Sequence, residues 1–242
     1  MATLAGKRIL VTGAGSGIGR AAARLFAERG AELVIVGRRL EPLREALPSA
    51  RHVALDHADE KAVSRFAADC PELSGMFLNA GGFVPGTVAE TSTADLDAML
   101  GANLRGPWLL CRHLAPRLVD GGSVVLTGSN IGIRAIPGTA AYAVSKAALH
   151  MLARVLAVEW ASRRIRCNAI APGPVLTSML QERIDTSEDP EAAREAFGRV
   201  NPLRRLGHPE EIAALAAYLL GDESGWTTGT VIPCDGGATG AF

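Results

Sequence analysis

The segment from 129 to 146 holds the residue types in this chain that are best suited to chemistry. Tyr142 stands four residues before Lys146, and Ser129 precedes both. Because helix positions four apart share one face, the phenol and the ammonium are expected to lie side by side. A fixed cation favours the phenolate, so we expect the pKa of Tyr142 to lie below its ordinary value of about 10. Tyr142 is therefore a candidate acid or base, although a helix tyrosine beside a salt-bridging lysine has the same spacing.

Lysine is rare in this chain, and this singles out Lys146. The 25 basic residues divide into 22 arginines and three lysines, which are Lys7, Lys61 and Lys146. A compact ammonium can lie beside a phenol and donate to a diol, whereas a planar guanidinium is poorly shaped for that task. The composition therefore favours a chemical role for Lys146.

A glycine-rich turn lies near the start of the chain. Residues 12–19 read TGAGSGIG, between a predicted strand and a predicted helix. Glycines let the backbone turn sharply and approach a pyrophosphate, and the following helix offers free N–H groups to the anion. This strand–turn–helix context predicts a dinucleotide site.

The end of the second predicted strand indicates which dinucleotide is preferred. An acidic residue there would bind a ribose hydroxyl, whereas arginine would accept a 2′-phosphate. The chain reads Gly37-Arg38-Arg39 and has no acid at that point. The sequence therefore favours NADP(H), with NAD(H) as the alternative if both arginines are only solvated surface residues.

Apolar runs alternate with helical patterns along the chain, which predicts an α/β domain with a parallel sheet covered on both faces. No linker or repeat divides residues 1–242, so a single domain is expected. Residues 93–119 are predicted to be largely helical, and Gly106-Pro107 predicts a kink or restart soon after Asn103. Residues 178–205 are predicted to form a mobile helical excursion over the ligand.

Composition and charge argue against several classes of protein. Basic and acidic residues balance at 25 each, so a nucleic acid partner is not expected. No uninterrupted apolar run approaches the roughly 20 residues of a membrane span, and the N terminus has no signal-peptide pattern. Scattered cysteines and histidines predict no disulfide and no metal site, and a cytoplasmic location is expected.

Six short motifs follow one another in a fixed order. They are the glycine turn, Asn79-Ala80-Gly81, Asn103, Ser129, Tyr142-x-x-x-Lys146 and Pro172-Gly173. This order closely resembles the short-chain dehydrogenase/reductase family and covers essentially the whole chain. The resemblance implies one NAD(P)-binding, Rossmann-type doubly wound domain over residues 1–242, with a seven-stranded parallel sheet. Together with helices that are apolar on more than one face, it also implies a homotetramer.

The resemblance further implies a catalytic set of Asn103, Ser129, Tyr142 and Lys146. Hydride transfer to a carbonyl builds negative charge on its oxygen, which must be bonded and protonated. Ser129 would hold that oxygen and Tyr142 would exchange the proton with it. Lys146 would lower the pKa of the phenol and hold the nicotinamide ribose, and Asn103 would bind a water linking Lys146 to solvent.

The expected cofactor contacts come from turns after successive strands. They are Gly13, Gly15, Ser16, Gly17, Ile18, Gly19, Arg38, Arg39, Asp56, Asn79, Ala80, Gly81, Tyr142, Lys146, Pro172, Gly173, Val175 and Thr177. One departure from the family pattern is Leu78, where many members have a second asparagine. Because Asn79 remains, we expect little effect.

The predicted substrate side is mostly apolar, which favours a hydrophobic ketone or alcohol. Its candidate lining residues are Phe83, Val84, Asn130, Ile131, Ile133, Ile136, Pro174, Met179 and Phe197. Arg134 could meet an anionic substrate but is expected to face solvent. Two alternatives stay open: a reductase of 3-oxoacyl thioesters, and a non-catalytic nucleotide-binding regulatory protein.

Overall fold

Seven strands form one parallel sheet in the computed structural model, which describes residues 3–241. The strands are β1 (Arg8–Thr12), β2 (Glu32–Gly37), β3 (Arg51–Ala54), β4 (Leu73–Leu78), β5 (Leu118–Thr127), β6 (Arg166–Pro172) and β7 (Val231–Cys234). Their order across the sheet is β3-β2-β1-β4-β5-β6-β7, and all neighbouring pairs are parallel. The predicted single α/β domain with a seven-stranded parallel sheet is confirmed.

Helices cover both faces of this sheet. They are α1 (Gly17–Glu28), α2 (Leu40–Ala46), α3 (Glu60–Ala68), α4 (Thr93–Leu100), α5 (Gly106–Leu114), α6 (Ala140–Glu159), α7 (Ser178–Asp185), α8 (Pro190–Arg199) and α9 (Pro209–Leu220). Side chains of α3, α5 and α6 form the core on one face, and those of α1, α2 and α9 form the core on the other. Burial on both faces explains why the central strands are apolar at consecutive positions.

The order of the strands reverses beside β1. The chain runs outward through β2 and β3, then returns to the other side of β1 and continues from β4 to β7. The carboxyl ends of β1 and β4 are joined by Thr12, whose Oγ1 accepts hydrogen bonds from the backbone N–H groups of Asn79 and Ala80 at 2.9 and 3.0 Å. Open α/β sheets bind ligands in the crevice at such a reversal.

The predicted helix over 93–119 is interrupted and ends early. Helices α4 and α5 are joined by a π-helix over Gly101–Arg105, and Leu118 already belongs to β5. Pro107 has no N–H to donate to the carbonyl four residues earlier, which is that of Asn103, and this loosens the turn. The predicted restart soon after Asn103 is confirmed, because α5 begins at Gly106, but the predicted helical end at residue 119 is wrong.

Helix α6 carries Tyr142 and Lys146 through the core. By length and mean hydropathy alone it is the one described helix that could cross a membrane, contrary to the expectation from uninterrupted apolar runs. Half of its most apolar 18-residue window is buried inside the domain. Core helices of globular proteins meet the same criterion, so α6 is read as a core helix.

Candidate active site

A cavity of about 1060 Å³ opens at the carboxyl edge of the sheet. Predicted site residues that line it are Gly13, Ser16, Gly17, Ile18, Arg38, Asp56, Asn79, Ala80, Gly81, Ser129, Tyr142, Lys146, Pro172, Gly173, Val175 and Thr177. Four predicted residues do not line it: Gly15, Gly19, Arg39 and Asn103. Residues far apart in sequence thus converge, because parallel strands bring their ends to one edge.

The glycine turn fits a dinucleotide for a steric reason. Gly13 has a φ of +68°, and a Cβ there would lie 3.0 Å from the Cα of Ala80. A Cβ on Gly19 would overlap the carbonyl oxygen of Gly13, so Gly19 serves the packing of the turn although it does not reach the cavity. Ser16 precedes α1 and makes no side-chain capping bond, and the first turn of α1 has no acidic residue. The helix N terminus can therefore receive a pyrophosphate.

Arg38 and Arg39 lie differently although they are neighbours. Arg38 lines the cavity at the end of β2, near Asp56, which follows β3. Arg39 occupies the N-cap position of α2 and does not line the cavity. Both residues are exposed, and the predicted pair of phosphate contacts stays a prediction.

Asn103 is fully buried and holds the loop after β4. Its Oδ1 accepts from the Gly82 N–H at 2.9 Å, and its Nδ2 donates to the Gly82 carbonyl at 3.1 Å and to the Ser145 hydroxyl at 3.0 Å. A Cβ on Gly81 would lie 2.6 Å from Asn103 Oδ1 and 3.4 Å from Lys146 Nζ. Asn103 therefore stabilises the loop after β4 and does not itself line the cavity. Its predicted role as a water ligand stays a prediction.

Ser129 and Tyr142 bring two hydroxyl groups together where β5 meets α6. The Tyr142 ring packs edge-on against Phe83, with ring centroids 5.0 Å apart. The Ser129 Oγ accepts from the N–H of Ile131 at 3.2 Å, which fixes the loop carrying the serine. The Ser129 hydroxyl also bonds the Tyr142 phenol, which acts to lower its pKa. Both residues line the cavity.

The predicted lowering of the Tyr142 pKa is wrong. Burial raises this pKa above its ordinary value and outweighs the bond from Ser129. Lys146 does not lower it, because its Nζ lies 5.7 Å from the centre of the Tyr142 ring and donates to the Thr127 carbonyl at 2.7 Å. Burial also lowers the pKa of Lys146 from 10.5 to about 8. Tyr142 is therefore a neutral phenol at neutral pH, able to give up a proton beside a buried cation.

His150, on α6, bonds the backbone of Ser129 and is not among the site residues predicted from the sequence. Its Nε2 is 3.3 Å from the backbone nitrogen of Ser129 and accepts that N–H. Burial lowers the pKa of His150 to about 4, so the ring stays neutral and keeps its accepting nitrogen. A Cβ on Gly128 would overlap the ring, and one on Gly132 would approach it at 2.8 Å. The spacing of four residues from Lys146 was the available signal, because it places His150 on the same face of α6.

The predicted substrate wall is present in large part. Seven of its residues line the cavity: Phe83, Asn130, Ile131, Ile136, Pro174, Met179 and Phe197. Val84 and Ile133 do not line it. Arg134 donates from Nη1 to the Ala238 carbonyl at 2.9 Å and also lies outside the cavity wall.

No cluster of three or more histidine, cysteine, aspartate or glutamate side chains suited to a metal ion is found within residues 3–241. The groups that converge on the cavity are the hydroxyls of Ser129 and Tyr142, the loop after β4, the buried ammonium of Lys146 and the glycine turn. Groups of these types are chemically suited to binding a dinucleotide and to exchanging a proton.

Comparisons with known proteins agree with this arrangement. Residues 13–239 match the family described as Enoyl-(Acyl carrier protein) reductase. An uncharacterized oxidoreductase of Thermotoga maritima is 36% identical, covering 97% of this chain and 98% of its own. Dehydrogenase/reductase SDR family member 6 of Rattus norvegicus is 32% identical, covering 98% and 99%. The crystal structure of levodione reductase superposes with a TM-score of 0.91 at 34% identity, covering 98% and 99%.

The fold and the site define a dinucleotide-dependent oxidoreductase. The chain belongs to the short-chain dehydrogenase/reductase family. Enzymes of this family use NAD(P)(H). The glycine turn, the N terminus of α1, where Ser16 makes no side-chain capping bond, and the adjoining cavity fit that cofactor sterically.

Proposed function

We propose that this enzyme reduces the carbonyl group of a largely hydrophobic substrate with NADP(H), or oxidises the corresponding alcohol. The observation that carries the proposal is the convergence of Ser129, Tyr142 and Lys146 on a cavity that continues to the glycine turn. Its wall on the side of Tyr142 is apolar, and levodione reductase, a reductase by name, is similar over nearly the whole chain.

The cofactor, when bound, supplies or accepts the hydride. Ser129 donates a hydrogen bond to the carbonyl oxygen and so stabilises the charge that develops on it. Tyr142, a neutral phenol because burial raises its pKa, gives that oxygen a proton. Lys146, which carries its positive charge below about pH 8, would hold the ribose hydroxyls of the nicotinamide beside the phenol. His150 holds the loop that carries Ser129, and Asn103 bonds Ser145 on α6, the helix that carries Tyr142 and Lys146.

A panel of ketones, aldehydes and acyl thioesters, followed by the absorbance of NADPH, tests this function. We expect consumption of NADPH with ketones whose carbon chain fits the apolar wall. Activity confined to acetoacetyl thioesters would instead favour a 3-oxoacyl-thioester reductase, which the family match also allows. Failure of every carbonyl compound to oxidise NADPH would contradict the proposal and favour a non-catalytic nucleotide-binding protein.

Arg38 is proposed to set the preference for NADP(H), because it is the guanidinium at the end of β2 that lines the cavity. A charge-assisted bond to the 2′-phosphate contributes about 1.5–3 kcal/mol, so Arg38→Ala is expected to lower kcat/KM for NADPH roughly 10- to 100-fold. The value for NADH should change by less than about twofold, since NADH has no such phosphate.

Steady-state rates with both cofactors check this expectation. Arg44→Ala is the matched control, because Arg44 lies on α2 near the same loop and pairs with Glu41 outside the cavity. A wild-type enzyme that prefers NADH, or an Arg38→Ala variant that loses both activities equally, would contradict the assignment.

A homotetramer is proposed from the exposed apolar side chains of two helices. Trp108 on α5 is 52% exposed, and Val144, Met151 and Val158 on α6 are 59%, 53% and 78% exposed. Their spacing places the α6 residues in one stripe, which a second copy of the chain could cover. Light scattering should give about 100 kDa, four copies of the 25.2 kDa chain, and a 25.2 kDa monomer would contradict the proposal.

The remaining expectations stand as proposals as well. Four unpaired cysteines support a reducing, cytoplasmic location. The equal numbers of basic and acidic residues support a small-molecule partner in preference to a nucleic acid.

A further inference from the structure

Arg183 lines the cavity and stacks on two aromatic rings, which the sequence did not predict. It projects from α7, and its Cζ lies 4.3 Å from the centre of the Phe83 ring and 5.2 Å from that of Phe197. Phe83 in turn contacts Tyr142 edge-on at 5.0 Å. The guanidinium is therefore separated from the reactive phenol by one aromatic ring, and each group shifts the pKa of the other.

The contacts of Arg183 differ from those of its neighbours. Nearby Arg194 donates to Gln181 at 2.6 Å, Arg199 pairs with Glu195, and Arg205 pairs with Glu211 at 2.6 Å. Within residues 3–241, the Arg183 side chain donates no hydrogen bond and pairs with no carboxylate. The guanidinium lies against the rings of Phe83 and Phe197, and its N–H groups have no acceptor among the described residues.

The charges on the cavity wall have a clear distribution. The described carboxylates that line it are Asp56 and Asp97, which follow β3 and β4 respectively. The wall formed after β5 contributes Lys146 and Arg183 but none of the described acids. Phe83 and Phe197 contact Arg183, and Ile136, Met179 and Val200 also line the cavity. This wall therefore carries apolar side chains and two cations, of which Lys146 is buried and Arg183 is exposed.

We propose that the substrate is an oxo acid, or the corresponding hydroxy acid, whose carboxylate binds Arg183 while its carbonyl group meets Ser129 and Tyr142. The planar guanidinium matches a carboxylate in a two-point bond, and its N–H groups are exposed and free of acceptors among the described residues, so they are open to a ligand. The apolar wall takes the chain between the two polar ends. The carboxylate is unchanged by the reaction, in which hydride adds to the carbonyl carbon and the Tyr142 proton adds to its oxygen.

This inference rests on the proposed carbonyl reduction and sharpens its substrate class. It is tested with straight-chain oxo acids of about four to eight carbons and their methyl esters, which differ in charge but not in the carbonyl group. We expect the wild-type enzyme to prefer each acid over its ester by roughly tenfold or more in kcat/KM, mainly through KM.

Arg183→Met keeps an unbranched apolar side chain over the rings and removes the charge. It is expected to lose roughly 10- to 100-fold in kcat/KM on the acids and to change by less than about twofold on the esters. Arg183→Lys should retain part of the preference, because it keeps the charge without the planar fork. Arg199→Gln, on α8 outside this cavity, is the matched control and should leave both substrates unaffected.

Two kinetic results would overturn the inference. In one, the wild-type enzyme uses esters as well as acids. In the other, Arg183→Met lowers the activity on both equally, which would mean that Arg183 only packs on Phe83 and Phe197.

A binding measurement separates this inference from the proposed function. Titration calorimetry of the enzyme with NADP⁺ present should show hexanoate binding that hexanamide and inorganic phosphate do not reproduce, and Arg183→Met should abolish it. Such binding without reduction of any carbonyl would contradict the function and leave the carboxylate site standing. Reduction of ketones without hexanoate binding, or binding of phosphate in its place, would contradict the carboxylate site and leave the function standing.

Discussion

Tyr142→Phe is expected to abolish nearly all turnover, lowering kcat by about 10²- to 10⁴-fold relative to the wild type. The change removes only the hydroxyl group, so the edge-on contact with Phe83 at 5.0 Å is retained. Without the phenol, no described side chain beside Ser129 can donate a proton as that group does, and the oxygen is left bonded but not protonated.

Two measurements distinguish lost chemistry from lost folding. The variant should bind NADPH with near wild-type affinity, measured by cofactor fluorescence, because the glycine turn and Arg38 are untouched. Tyr218→Phe is the matched control, since Tyr218 is the other tyrosine of the chain and lies on α9, away from the cavity. Near-normal turnover of Tyr142→Phe would refute the proton-donor role.

Lys146→Met is expected to lower kcat/KM by about a hundredfold or more while leaving the protein at least as stable. Burial lowers the pKa of Lys146 from 10.5 to about 8, which corresponds to a cost of roughly 3 kcal/mol for the charged form. Methionine removes that cost, although it leaves the Thr127 carbonyl without the bond that Lys146 gives it at 2.7 Å. These two effects oppose each other, so activity should fall without a matching loss of thermal stability.

The pH dependence of the same variant provides a second signature. The ammonium is present below about pH 8 and is lost as the pH rises through that value. Tyr142 keeps its proton over this range because its pKa is raised. Carbonyl reduction by the wild type should therefore decline above about pH 8, and this decline should be absent from the residual activity of Lys146→Met. Lys61→Met is the control, because Lys61 is exposed on α3. Wild-type turnover in Lys146→Met would contradict the account.

The sequence was sufficient for features that depend on neighbours along the chain. The glycine turn could be placed because a strand precedes it and a helix follows it, and Tyr142 and Lys146 could be placed on one helix face by their spacing. The parallel sheet followed from strands that are apolar at consecutive positions. In each case a local pattern fixes the local geometry.

Features that depend on tertiary burial could not be predicted in the same way. The pKa of Tyr142 was predicted to fall, but Lys146 bonds the Thr127 carbonyl and burial dominates. The support of Ser129 by His150 requires α6 to pack against the end of β5, and the stacking of Arg183 requires α7 to fold over Phe83. Neither contact joins residues that a local pattern would relate.

The central claim is that hydride passes to a carbonyl carbon in this cavity with Tyr142 as the proton donor. It is tested most directly with NADPH deuterated at the reducing carbon of its nicotinamide and a single oxo acid or ketone that also has a carbon–carbon double bond beside its carbonyl group, with the product examined by mass spectrometry. We expect the wild type, and not Tyr142→Phe, to form an alcohol that carries deuterium on the carbinol carbon. Deuterium found instead on a former carbon–carbon double bond of an unsaturated substrate, or an equal yield of deuterated alcohol from Tyr142→Phe, would contradict it.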